Sequence, residues 1–165
     1  GGVGKTTMAR RIMDRVLKEH VFEEVAMAVV SQQVDNSNIQ VEIGGSLGLK
    51  NLKDDTSQVR VQKLHDRLTG TKRILLVLDD IWEGLELESL GIPCDSKGCK
   101  ILVTSRNKDA LSDTNVEKVF GMEILSVEEA WFLFRERVGT CVDDAKLNPI
   151  AKEVVDECGG LPLAL

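Results

Sequence analysis

A dense basic tract, a long apolar run and a metal-type cysteine spacing are all missing from this chain. The formal net charge is −6 and the isoelectric point is near 5.0. A general nucleic-acid binder would normally show a basic face, so this balance argues against that class. The longest uninterrupted apolar stretch is Val25 to Val30. A transmembrane helix needs about 18 apolar residues or more, so no membrane span is expected. Cys94, Cys99, Cys141 and Cys158 show no Cys-x-x-Cys or Cys/His pattern. Scattered free thiols suit a reducing compartment, and a cytoplasmic location is expected. No internal repeat, low-complexity tract or secretory leader is visible.

What remains is an ordinary globular composition. The chain has 165 residues, with 42% hydrophobic and 29% charged content. That length supports one domain with a sizeable core. The chain opens on GGVGKTT and stops at GLPLAL. It reads as a piece of a longer protein.

Helical and strand periods alternate along the first 124 residues. Met8, Ile12, Met13, Val16 and Leu17 recur at helical spacing after Lys5. Val25–Val30 is a short apolar run of the kind that forms a strand buried on both faces. Residues 36–47 give a weaker helix, flawed by Gly44 and Gly45, and Ser57–Leu68 a better one. Ile74–Leu78 is a second buried strand, and Lys100–Ser105 a third. Residues 83–97 are expected to be irregular, 107–111 a short helix, and 116–124 to contain a weaker strand. Strands alternating with helices predict an α/β parallel sheet flanked by helices.

From residue 125 the pattern is helical only. Ser126 and Glu129 have capping-box spacing ahead of Trp131, Phe132 and Phe134, which are expected to pack as helical core. A second helix is expected after Pro149, stopped by Gly159 and Gly160. The expected division is a nucleotide-binding unit over 1–124 and the start of a helical subdomain over 125–165.

The chemistry lies in two places. GGVGKTT matches the downstream part of the phosphate-loop pattern G-x-x-x-x-G-K-[ST]. Gly2, Val3 and Gly4 would bend the backbone so that several N–H groups face one phosphate. The following helix adds its positive end. Lys5 would reach the β- and γ-phosphates, Thr6 would bind Mg²⁺, and Thr7 would lie near the α-phosphate. A glycine-rich turn before an ordinary helix is the bland alternative. The second place is ILLVLDD, where two carboxylates end a buried strand. Ligands of open α/β sheets bind at that edge. Asp79 would hold Mg²⁺ through water, and Asp80 would orient or deprotonate an attacking water, the catalytic role. A strand running into an acidic turn is the competing reading. Arg106, after the third strand, can sense the γ-phosphate; on spacing alone it serves equally as a surface cation.

These residues resemble the NB-ARC nucleotide-binding domain of plant NLR resistance proteins, a branch of the STAND-type P-loop ATPases. The resemblance runs through GGVGKTT, FEEVAMAVVSQ, ILLVLDDIW, GCKILVTSRN, MEILSVEEAWFLFRERVG and GGLPLAL, in that order. It implies a P-loop NTPase sheet whose first strand lies outside these residues. It implies ATP/ADP and Mg²⁺ as cofactors, with ADP favouring an off state and ATP an on state that assembles into oligomers. It makes Arg106 the γ-phosphate sensor and Pro162 the proline that touches base or sugar. Trp82 resembles the coiled-coil subclass rather than the TIR one. The partners implied are the parent protein's coiled-coil and leucine-rich-repeat regions and further copies of itself. A turnover enzyme, such as an ATPase motor or small-molecule kinase, is the runner-up; no acceptor pocket or arginine-rich lid is visible. A STAND regulator of transcription or cell death outside plants is a third class. Since the family's first strand and adenine-contacting segment are not among these residues, the isolated chain is expected to be poorly folded or to bind nucleotide weakly. Calorimetric titration of this chain with ADP checks that, and micromolar binding would contradict it.

Overall fold

The computed structural model describes residues 1–94, 96–112, 114 and 116–165. The chain divides into two compact units, one of residues 6–119 and one of 1–5 with 120–165. In the first, three strands form a parallel sheet in the order β1 (Glu24–Val29), β2 (Ile74–Ile81), β3 (Cys99–Ser105). Parallel neighbours need a crossover between them. Helices α2 (Asn36–Ser46) and α3 (Ser57–Leu68) supply it between β1 and β2. The remaining short helix of this unit is α4 (Lys108–Ser112).

Side chains of a strand alternate between its faces, and β2 shows what that does here. Ile74, Leu76 and Leu78 join Ile39, Ile43, Leu64 and Leu68 of α2 and α3 in one core. Leu75 and Val77 join Ala9 of α1 (Lys5–Lys18) in the other. Thus β2 is buried on both faces, as its unbroken apolar sequence requires. The stripe that α1 turns inward is Ala9, Ile12, Met13 and Val16, whereas Met8 and Leu17 are exposed. Ile12, Met13 and Val16 thus lie on the inward face as their spacing predicts, while Met8 and Leu17 fall at its exposed flanks.

The glycines of α2 do not break it. Asp35 caps its first turn by accepting from the Asn38 N–H at 3.1 Å. The helix then runs through Gly44 and Gly45. A β-carbon on Gly44 would lie 1.9 Å from the Leu52 side chain, so the glycine makes room for packing. The described residues of 83–97 are irregular apart from a 3-10 turn at Glu88–Leu90. The strand expected within 116–124 is absent: these residues form no strand or helix. Val119, Phe120 and Ile124 are exposed. Apolar alternation makes a strand only where a neighbour supplies the ladder hydrogen bonds.

The second unit holds α5 (Val127–Val138), a 3-10 turn (Thr140–Asp143) and α6 (Leu147–Glu157). The capping box forms: Ser126 Oγ accepts from the Glu129 N–H at 3.3 Å, and Glu129 Oε2 accepts from the Ser126 N–H at 2.9 Å. Helix α6 starts two residues before Pro149. Proline is tolerated there because first-turn N–H groups have no partner within the helix. Trp131 and Phe134 stack with centroids 6.2 Å apart, but Phe132 is exposed rather than core.

At the amino end of the sheet Glu24 accepts from both Lys72 and Arg67. The Lys72 hydrogen bond, opposed by partial burial and aided by Arg67, holds its carboxyl below the ordinary 4.5. The group therefore adds stability at neutral pH and loses it as pH falls from about 4.5 through the depressed value. Glu24→Gln should cost about 0.5–1 kcal/mol at pH 7, the scale of a part-exposed pair. Urea unfolding at pH 7 and pH 3 checks this; the difference from wild type should shrink at the lower pH.

Candidate functional site

The phosphate-loop glycines adopt the backbone their sequence called for. Gly2 and Gly4 have φ of +85° and +94°, a region that residues with a β-carbon rarely enter. Val3 lies between them, and Lys5 opens α1. Among the described residues Lys5 makes no ion pair. Thr6 and Thr7 follow in the first turn of α1.

Within the first unit, Thr6 and Asp79 meet across 73 residues of sequence. Thr6 Oγ1 donates to Asp79 Oδ2 at 2.7 Å. Asp79 is only 3% exposed, and an isolated buried carboxylate would be costly. A second hydroxyl offsets that cost: Thr104 Oγ1, from β3, donates to Asp79 Oδ1 at 2.6 Å. Each carboxylate oxygen therefore has its own donor.

The same Thr104 hydroxyl accepts from the Asp80 N–H at 2.9 Å. This contact sits at an irregularity in the ladder. Leu78 pairs with Val103 and Ile81 with Ser105, so Asp79 and Asp80 together face Thr104. Two residues opposite one is a β-bulge, rare in parallel sheets and a device for re-aiming side chains. Asp80 carries it with φ of +60°, a conformation that aspartate tolerates better than most residues. Its carboxylate meets Arg106, with Nε donating to Oδ1 at 3.0 Å and Nη2 to Oδ2 at 3.4 Å. Arg106 also lies over the Trp82 ring, its Cζ 5.0 Å from the centroid.

Pro162 belongs to the second unit, with Gly2. It is the second residue of a turn closed by the Ala164 N–H donating to the Leu161 carbonyl at 2.9 Å. Proline's fixed φ suits that position. The next residue, Leu163, donates its N–H to the Gly2 carbonyl at 3.2 Å. Gly160 anchors the turn: its carbonyl accepts from the Leu125 N–H at 2.8 Å. A β-carbon at Gly160 would fall 2.4 Å from the Leu125 carbonyl oxygen.

The donor set can be tested for Mg²⁺. Magnesium takes oxygen ligands at about 2.0–2.1 Å in an octahedron, so neighbouring ligand oxygens sit about 2.9 Å apart. The Thr6 Oγ1–Asp79 Oδ2 separation of 2.7 Å is close to that edge and equally that of the hydrogen bond it forms, so Thr6 would be a direct ligand while Asp79 would act through water. No group of three or more carboxylate, histidine or cysteine ligands occurs among the described residues. Such a site fits an ion that takes its remaining ligands from phosphate and water.

Sequence reasoning missed Thr104. Its role needs β2 and β3 side by side with a bulge, and no spacing rule reports that. Trp82 was read only for subclass; its contact with Arg106 has no sequence signal either.

A parallel α/β sheet with a glycine loop at a helix start and a buried carboxylate at a strand's carboxyl end defines a P-loop NTPase-type nucleotide-binding fold. The Aeropyrum pernix ORC2 protein, solved as ADPNP-ADP complexes, has the same fold: TM-score 0.64, 19% identity, 99% of this chain and 50% of that one covered. The chain matches the NB-ARC domain family over residues 1–144 and belongs to it. Two Arabidopsis thaliana relatives align over the whole chain: probable disease resistance protein At4g27220 at 34% identity, over 18% of its length, and disease resistance protein UNI at 37%, over 19%. The chain thus spans about a fifth of the curated relatives it matches. It is a nucleotide-binding module of the kind found in plant resistance proteins. No helix among the described residues is long and apolar enough to cross a membrane.

Thr104→Val removes the donor to Asp79 and the acceptor for the Asp80 N–H together. It should destabilise the fold by about 1–3 kcal/mol, the cost of buried groups left unsatisfied, while Thr104→Ser stays near wild type. Urea unfolding of the two variants decides this.

Proposed function

We propose that this chain is the nucleotide-binding part of an ADP/ATP switch in a plant disease-resistance receptor, off with ADP and on with ATP. The observation that carries the reading is the Thr6–Asp79 contact. It joins the helix that follows the glycine loop to the acidic strand end and brings together the hydroxyl and carboxylate expected to serve Mg²⁺. Gly2, Val3 and Gly4 shape the loop, Lys5 pairs with the β- and γ-phosphates, and Thr7 serves the α-phosphate. Thr6 and Asp79 hold Mg²⁺, which supplies charge neutralisation at the phosphates when bound. Pro162, in a turn bonded to Gly2, lies against base or sugar.

Asp80 is the residue that orients or deprotonates water. Its carboxylate is engaged by Arg106, which fits slow hydrolysis at most. Arg106 reads the γ-phosphate. A switch also requires that the two nucleotides favour different arrangements, since equal affinity shifts nothing. We assign residues 1–124 to the nucleotide-binding subdomain and 125–165 to the start of a helical subdomain, where α5 and α6 pack on each other. The family's first strand would add along β3, whose residues 101–105 are only half-buried. Trp82 favours the coiled-coil class. The remaining partners are the parent's coiled-coil and leucine-rich-repeat regions and, once activated, further copies, in the cytoplasm. Plant relatives favour this reading over a regulator outside plant immunity.

The test is the nucleotide released from purified full-length protein. Wild type should carry ADP. Lys5→Ala and Asp79→Asn should each lower ADP affinity at least tenfold, about 1.4 kcal/mol. Retention of stoichiometric ADP by both variants would sink the assignment.

A further inference from the structure

Arg106 is the first residue beyond β3, half of its side chain reaches solvent, and yet two groups hold it. Asp80 grips it side-on through Nε and Nη2. The Trp82 ring faces the guanidinium carbon at 5.0 Å, within the distance at which an arginine is drawn to an indole. Both holders come from the end of β2, next to the bulge that leaves Asp80 at positive φ. Guanidinium is planar, with donors along its edges only. A ring beneath its central carbon and a carboxylate along one edge restrict how the group can move. The side-on pair leaves Nη1 without an acceptor among the described residues.

We propose that Trp82 is a positioning residue that makes Arg106 selective for nucleoside triphosphate over diphosphate. The indole face restricts the guanidinium plane, Asp80 sets its orientation within that plane, and the unused Nη1 edge serves a third phosphoryl group. A long arginine side chain without a platform would lose more rotamer freedom on meeting that phosphate. Trp82 therefore acts on the nucleotide only through Arg106, and only where a γ-phosphate is present. The proposal rests on the nucleotide-binding reading above.

The experiment titrates full-length protein calorimetrically with Mg-ADP and with the slowly hydrolysed Mg-ATPγS. Trp82→Leu should weaken ATPγS binding about three- to tenfold, the range of a part-exposed cation–π contact, and leave ADP within about twofold. Trp82→Phe, which keeps an aromatic face of weaker quadrupole, should lose part of the same preference and none of the ADP affinity. Arg106→Gln should show the selective loss too, and adding Trp82→Leu to it should cause no further loss. Equal weakening of both nucleotides by Trp82→Leu, or additive losses in the double variant, overturns the proposal. If Trp82→Leu does not fold, an unchanged ATPγS preference in Trp82→Phe overturns it as well. Wild type that binds neither nucleotide instead removes the underlying functional reading.

Discussion

The carboxylate of Asp79 is the group on which the sheet edge depends. It lies almost fully out of water and is kept there by two hydroxyls, one from the first turn of α1 and one from the end of β3. Hydrogen bonds to a charged group are stronger than neutral ones, and a buried charge without them is strongly disfavoured. The pair of threonines therefore fixes three elements relative to one another: the helix after the phosphate loop, the acidic strand and its neighbour. Removing either hydroxyl would leave half of a buried anion unanswered.

A second consequence runs through Thr104. Because its hydroxyl donates to Asp79 and accepts from the Asp80 N–H, it ties two successive acidic residues to one point of β3. The strand meets that demand with a bulge, and Asp80 turns to positive φ. In an unbroken strand the two carboxylates would point to opposite faces. Here one is buried in the hydroxyl pair, while the other meets an arginine at the solvent boundary. Two identical side chains, adjacent in sequence, thereby acquire different environments and different chemistry.

Glycine does related work in the other unit. Gly2 and Gly160 both sit at positive φ, and each is crowded where a side chain would be. At Gly160 the obstacle is the Leu125 carbonyl, a backbone atom that cannot swing away. The turn that carries Pro162 is thus anchored on one side by Leu125 and bonded on the other to Gly2. Its conformation is set by close backbone approaches rather than by side-chain packing.

Much of this was legible beforehand because it is local. An apolar run without polar interruption, as in Ile74–Leu78, marks a strand covered on both faces. Ser126 with Glu129 marks a helix start, and glycines before Lys5 mark a loop able to wrap an anion. Each of these follows from covalent and hydrogen-bonding constraints within a few residues. The failures were the places where a distant neighbour decides. Residues 116–124 have strand-like alternation but form no strand, and Gly44 reads as a flaw until Leu52 is placed against it. Sequence by itself thus determined the α/β class, the glycine turn that opens α1 and the acidic end of the central strand. Only tertiary structure decided that Thr104 links the two aspartates and that Trp82 and Asp80 share Arg106, because those contacts join chain segments some 25 residues apart. Their geometry exists only once β2 and β3 lie side by side.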